Sequence, residues 1–488
     1  MKTRRVCAIF AVISVACSVR GAEKEAPAAL EVHEWGTFTT LSGSDGAAVG
    51  WYLHQLAEVP SFVGSTTARL PDGIEVAGKT GTAQHNWPKT AGVQKGTGVS
   101  GTIEAPAPRL NRLTKVGTGT LTLGFIPARI RMETPVLYFY PQKAMLVHVD
   151  VHFDEGTLTE YYPPPKTAHW AEQTVWEGEL RPPTDPEAAR LIPSVKGEAG
   201  DNYGEARQVP DAWYFHATQP SVKPERSWEK FIFYRGSGTK VPPLVAKATG
   251  PHTVQLAVDS RGPSTQPASW EVRADSGHSH WGLSTWAFAL QVEGDRARWK
   301  ALPPLEQSAS AAKADGVSVE LTQDEPLDQA DAELSAAVTE KLMNSGLTVQ
   351  EARAMVATWH KFWFREPGTR IVGLVPRTWV DQVLPLHIEP APQVIQRVFV
   401  GRWELITPDQ EKVIADMLAS QDPMISGSDM DHIHALHLGR FTQGAWARVL
   451  ELTKGRKPTE ISEIRRKILQ DALEAEAQPQ PAKAVSQR

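Results

Sequence analysis

The chain has 488 residues, with 56 acidic against 51 basic side chains, 37 glycines, 37 prolines and two cysteines. A formal net charge of −5 argues against nucleic acid or anionic lipid as the main partner, because both need a basic surface. Both cysteines, Cys7 and Cys17, fall within the first 21 residues, so a form cleaved after Gly21 has no thiolate nucleophile, cysteine-bound zinc or iron–sulfur cluster.

The first segment reads as an address. Lys2, Arg4 and Arg5 precede an apolar run from Val6 to Val19. That run is shorter than the ~20 apolar residues a membrane-spanning helix needs. Small residues around Gly21 complete the three-part pattern of a secretion signal over residues 1–21. Its four basic residues leave with it, taking the formal net charge from −5 to −9. The expectation is export to a periplasmic or extracellular space. A minor alternative keeps Cys17 as a lipidated first residue. No later stretch reads as transmembrane.

Residues 22–322 predict a β-rich domain, antiparallel and sandwich-like. The clearest strand is Leu146 to Phe153, where Val147, Val149, Val151 and Phe153 alternate with His148, Asp150 and His152. The denser run Thr134 to Tyr140 suits a strand buried on both faces. Phe231 to Tyr234, Val254 to Val258 and Trp286 to Val292 are further strands. Residues 64–121 are rich in Gly and Thr and read as a long excursion from the sheet.

Residues 327–475 predict a helix-rich α+β domain, making the whole chain α+β. Thr348 and Glu351 form a capping box ahead of the stripe Ala352, Met355, Val356, Trp359 and Trp363. Thr407 and Gln410 form another, with Pro408 at the first helical position. A further helix carries Trp446, Val449 and Leu450, and a last one Ile461, Ile464, Ile468 and Leu473. Arg370 to Val375 and Arg397 to Glu404 are β segments. The tripeptides Gly401-Arg402-Trp403 and Gly439-Arg440-Phe441 each precede a helix and form a weak internal repeat. Residues 476–488 read as a disordered tail.

Glu34 stands first among residues that could carry chemistry. In a strand it shares a face with Val32, Gly36 and Phe38, so it must be paired, hydrogen-bonded or protonated. A raised pKa would make it a general acid or base; an arginine partner would make it structural. His33, Glu133 and Arg235 are the companions that could converge with it, Arg235 standing at a strand end suited to meeting a carboxylate. His33-Glu34-Trp35 is not the HExxH zinc motif, since Thr37 stands where the second histidine belongs. The densest metal-ligand cluster is Asp429, Asp431, His434 and His437, which leaves a divalent metal open although no cofactor is called for. His148, Asp150 and His152 span ~13 Å along one strand, too far for all three to share an ion, and His278 with His280 is a weaker pair. Sixteen tryptophans invite a sugar- or peptide-stacking reading, with Trp213, Trp228, Trp270 and Trp281 beside loops. No phosphate loop, GxSxG elbow or dinucleotide fingerprint is present.

Eight segments in order, VHEWGTFT (32–39), METPVLYFYP (132–141), LTEYYPPP (158–165), KFIFYRGSG (230–238), ATWHKFWF (357–364), GTRIVGLVPR (368–377), LPLHIEPAP (384–392) and VFVGRWELITP (398–408), carry a resemblance over nearly the whole mature chain. The chain resembles an uncharacterised family of secreted bacterial proteins with an HEWGTFT-type start. The resemblance implies export and a two-part architecture, and it implies no activity. Three functions follow as expectations: a binding or cell-envelope-associated module for an envelope polymer, carbohydrate or peptide; an extracytoplasmic hydrolase, metal-assisted or not; or a scaffold without catalysis. The first is favoured, because the candidate residues are scattered.

Overall fold

The computed structural model describes residues 29–51, 59–60, 62–65, 113–116, 120–123, 128–169, 173–196, 201–218, 223–258, 286–302, 317–420 and 427–453. Residues 1–21, read above as a secretion signal, most of residues 64–121, Trp270, Trp281, His278, His280, the segment around Ile464 expected to be a helix, and residues 476–488 lie outside them.

The principal strands are β1 (Leu30–Ser42), β2 (Ile130–Pro141), β3 (Met145–His152), β4 (Gly156–Tyr162), β5 (Gln173–Arg181), β6 (Tyr214–Ala217), β7 (Ile232–Gly238), β8 (Ala287–Glu293), β9 (Arg296–Ala301), β10 (Gln323–Pro326), β11 (Gly368–Val375), β12 (Leu386–Glu389) and β13 (Val394–Leu405). The principal helices are α1 (Leu327–Asn344), α2 (Val349–His360), α3 (Arg377–Val383), α4 (Pro408–Ala419), α5 (Gly427–Ala435) and α6 (Thr442–Leu452). The fold is α+β, built on large antiparallel sheets.

The main sheet runs β10-β9-β8-β11-β13-β1-β2-β7-β4 and ends on the short strand Gly64–Ser65. All neighbours in it are antiparallel except β1 and β13, which run parallel from Glu31 opposite Val394 to Ser42 opposite Leu405. Strands from both sides of residues 322–327 therefore share one sheet. The change in composition there marks where helices begin, which is local, whereas strand pairing joins distant segments.

A second antiparallel sheet, in the order β6-β5-β3-β12 beyond the short strand Trp228–Glu229, packs on one face of the first. Val147, Val149, Val151, Trp176, Leu180 and Phe215 meet Val32, Phe38, Leu137, Phe139 and Phe399 between them. This is a sandwich core, in which the inward residues of alternating strands interdigitate. The opposite face of the main sheet is covered by α1 and α2, through Leu334, Val338, Met355, Trp359 and Trp363. Both expected capping boxes are formed, at Thr348 with Glu351 and at Thr407 with Gln410. A third apolar cluster joins α4, α5 and α6 to Leu41, Trp51 and Ile406 at the end of β1.

Layers on both sides leave β1 as a central strand with nearly every residue buried. Its pairing with β2 slips between Trp35 and Thr37, where β2 carries one extra residue. Thr134 sits in that bulge with φ of 46°, an unusual backbone for a β-branched residue. Gly36 lies beside it because a Cβ there would stand 2.7 Å from the Phe399 ring and 3.1 Å from Pro135 Cα.

Phe139 stacks on Phe215 at 6.0 Å and ties the two sheets together. We expect Phe139→Ala to cost about 3–5 kcal/mol, as other buried Phe→Ala changes do. A guanidinium midpoint unchanged from wild type would show that the sandwich does not rest on this contact.

Candidate functional site

β1 alternates, so His33 and Glu34 project to opposite faces of the main sheet. Glu34 faces the sandwich core, fully buried. Its Oε2 accepts from Arg397 Nε at 2.5 Å, and its Oε1 accepts from the Tyr234 hydroxyl. Arg397 also donates from Nη1 to Asp381 Oδ1 at 2.8 Å. Burial and the Glu34 charge push the Tyr234 phenol well above its ordinary range. Burial would lower the Arg397 pKa, but Glu34 and Asp381 hold it higher than usual. Glu34 is thus one end of an ion pair in which both its carboxylate oxygens accept a hydrogen bond, while Arg397 Nη2 has no partner among the described residues.

His33 faces the helices. Its Nδ1 lies 2.9 Å from Glu351 Oε2, and its Nε2 lies 2.8 Å from Glu31 Oε1. The Tyr140 hydroxyl donates to Glu351 Oε1 at 2.6 Å, and the Thr348 N–H donates to Oε2 at 2.8 Å. A neutral imidazole has one N–H, so both contacts are hydrogen bonds only in the cation. Burial would lower the His33 pKa, but Glu351, then Glu31, raise it above 6.5. Burial would raise Glu351, but His33, Tyr140 and the Thr348 N–H lower it below 4.5. His33 therefore fastens the first strand to the start of α2.

Glu133 and Arg235 do come together, on the helix-covered face two residues further along β1 than Trp35. Glu133 on β2 is opposite Thr37, and Arg131 is opposite Thr39. On β13, Arg402 is level with Thr39 and Glu404 with Leu41. Arg235 on β7 is opposite Glu160 on β4. Arg440 enters from the short turn before α6, its Nη1 donating to Glu133 Oε2 at 3.1 Å. Its Nη2 lies 3.0 Å from Oε1, within ion-pair distance but not aligned as a second hydrogen bond. Arg402 donates to Glu404 and forms an ion pair with Glu366 at 2.6 Å, and Arg370 makes two bonds to Glu404. The guanidinium groups of Arg402 and Arg440 both lie over the Phe441 ring, at 5.2 and 5.1 Å. Burial would raise the Glu133 pKa, but Arg440, Arg131 and Arg235 bring it down to about 2.

The result is a polar layer between two apolar clusters, that of α1 and α2 and that of α4 to α6. Among the described residues, the hydroxyls of Thr37 and Thr39, Glu160 Oε1 and Arg402 Nη1 are buried with no hydrogen-bond partner. Glu160 Oε2 accepts from Thr159. Such orphans are uncommon in native interiors and call for an explanation.

No protein-family model matches the sequence, and no curated protein is similar to it.

The other candidates are placed apart. Asp431 and His437 are exposed in and just after α5, Asp429 is half-buried, and the His434 side chain lies outside the described set. Among the described residues no three His, Asp or Glu groups meet in a way that would hold a metal ion. His148 lies 3.5 Å from Glu177, and Asp150 accepts from Gln173. Trp228 is buried and stacked on His216 at 3.9 Å, and Trp213 packs against the sandwich core, so both serve packing rather than an open stacking platform.

Sequence reasoning missed Arg131, Glu160, Arg402, Glu404 and Arg440 as members of one group. The available signal was the Gly-Arg-aromatic repeat, whose two arginines meet on one ring.

Removing one member of a buried pair strands the other, at about 3–5 kcal/mol. Glu34→Gln should lower the unfolding midpoint accordingly, and Glu34→Met with Arg397→Met should recover much of the loss. An unchanged midpoint in Glu34→Gln would contradict a structural pair. For His33 the raised pKa gives stabilisation that is complete below 6.5 and lost as pH rises through the higher folded value. For Glu351 the lowered pKa gives stabilisation present above 4.5 and lost as pH falls through the lower folded value. The stability difference between wild type and His33→Gln should thus be greatest between these bounds; a difference independent of pH would refute the fastening.

Proposed function

We propose that the chain is an exported binding protein, and that its ligand presents an anionic group to the polar layer around Arg440. The described part of the layer interleaves the guanidinium groups of Arg131, Arg235, Arg370, Arg402 and Arg440 with the carboxylates of Glu133, Glu160, Glu366 and Glu404. Buried charge is expensive unless neutralised. The Arg402 Nη1 donor and the Thr37 and Thr39 hydroxyls, buried with no hydrogen-bond partner among the described residues, are the observation that carries this reading.

An anion seated there would find planar guanidinium donors suited to a carboxylate or phosphate fork. It would also give Thr37, Thr39 and Arg402 Nη1 their missing partners. Export is supported by the signal pattern at residues 1–21. The reading needs no metal and no nucleophile.

The test is thermal unfolding of the purified mature protein at fixed ionic strength, with sodium phosphate or acetate replacing chloride. A ligand at 100 times its Kd stabilises by about 2.7 kcal/mol, so the midpoint should rise with anion concentration and saturate. The rise should be lost in Arg440→Gln, whose fold is checked by circular dichroism. A wild-type midpoint that ignores every anion tried would overturn the proposal.

A further inference from the structure

We infer that the outer face of the second sheet carries a site for a divalent transition-metal ion of the zinc and copper class, held by His148 and Asp150 of β3 together with His387 and Glu389 of β12. Ligands in line along β3 reach too far to share an ion by themselves. Strand pairing supplies the missing ones. His387 stands directly opposite Asp150, and Glu389 directly opposite His148. Val147, Val149, Val151 and Ile388 turn inward to the sandwich core, so the four ligand-type side chains project together from the other face.

The four mark the corners of one rectangle, with imidazoles on one diagonal and carboxylates on the other. Directly opposite residues have Cβ atoms about 5 Å apart, and diagonal ones about 7 Å. Seen from above, an ion over the centre is therefore about 3.5 Å from each Cβ, a distance that an imidazole or a carboxylate spans. Two imidazole nitrogens and two carboxylate oxygens suit tetrahedral zinc. Calcium and magnesium take oxygen ligands, and half of this set is nitrogen. An ion on an open sheet face is reached directly from solvent and needs no cavity.

Asp150 Oδ2 accepts from Gln173 at 2.6 Å, while Oδ1 is buried with no hydrogen-bond partner among the described residues. An ionised carboxylate oxygen only accepts, so a donor or a cation belongs beside it. His387 Nε2 already lies 3.1 Å from Glu389 Oε1. His148 Nδ1 is turned the other way, 3.5 Å from Glu177 on β5, and as the side chains stand no three of these groups converge. The side chains of His148, His387 and Glu389 are 36%, 55% and 68% exposed, so they are free to turn. Exposed ion pairs of this kind are weak, and metal–ligand bonds can displace them. Turning His148 toward β12 completes the set without moving the backbone. The bound ion would fasten β12, a four-residue strand at the end of the described sheet, to β3.

Calorimetry on the purified mature protein, stripped with EDTA, tests the inference with ZnCl2, CuCl2, CaCl2 and MgCl2 as probes. One equivalent of Zn2+ should bind, Cu2+ should bind more tightly, and Ca2+ and Mg2+ should not compete. His148→Ala and His387→Ala should each weaken Zn2+ binding about tenfold or more, and Asp150→Asn and Glu389→Gln about threefold or more. His434→Ala with His437→Ala should leave it unchanged, which separates this site from the histidines in and just after α5. The metal-free unfolding midpoint should be the same in wild type and in the exposed His148→Ala and His387→Ala variants, and Zn2+ should raise it only in wild type. No Zn2+ binding up to about 0.1 mM, competition by Ca2+ or Mg2+, or binding that survives His148→Ala with His387→Ala would overturn the inference.

Discussion

The structure depends on burying β1 on both faces while it carries His33, Glu34 and a run of threonines. A strand covered by a sheet on one side and helices on the other offers no water to its polar groups. Each must find a protein partner or something that takes its place. Three solutions appear along this one strand. Glu34 meets Arg397 and Tyr234 on the sandwich side. His33 meets Glu351 and Glu31 on the helix side. Thr37 and Thr39 meet the arginine-rich layer and find no hydrogen-bond partner among the described residues.

The contrast between the two faces separates structure from site. Around Glu34 both carboxylate oxygens accept a hydrogen bond, and Arg397 reaches a second carboxylate on Asp381. This cluster, in which only Arg397 Nη2 is left without a partner among the described residues, fixes how the strands and α3 sit, whether or not it adds net stability over an apolar replacement. Around Glu133 the balance differs. The Thr37 and Thr39 hydroxyls and Arg402 Nη1 are buried and left over among the described residues. Stability alone does not select for leftover buried donors, because each costs roughly 1–3 kcal/mol when unmade.

What could be read from the sequence follows the range of the interaction. The capping boxes at Thr348 and Thr407, the apolar stripe through Met355 and Trp359, and the alternation of Val147, Val149 and Val151 are local patterns, and the structure contains them. Period two alone already separates His33 from Glu34, so a site built on both side chains was excluded as soon as β1 was taken as a strand. Their partners were not legible. Glu351, Arg397 and Arg440 lie some three hundred residues away in the chain, and only tertiary packing, such as the parallel pairing of β1 with β13 that carries Arg397, brings them near. Trp213 and Trp228 invited a stacking reading, yet Trp228 is buried and Trp213 packs against the sandwich core, while Trp35, Trp359, Trp363 and Trp403 are fully buried. In the described part, their bulk fills the layers on either side of the main sheet.

The position of the polar layer also bears on how the molecule is held together. It lies where the α4 to α6 cap meets the sheet, and Arg440 from that cap is the group that reaches Glu133. The cap otherwise joins through apolar contacts around Leu41, Trp51 and Ile406, and through Arg448 with Glu411 and Asp45 near the surface. An anion bound between Arg440 of the cap and Arg131 or Arg402 of the sheet would contact both at once. Its binding energy would then add directly to the seating of the cap, since a ligand stabilises whatever arrangement it needs in order to bind.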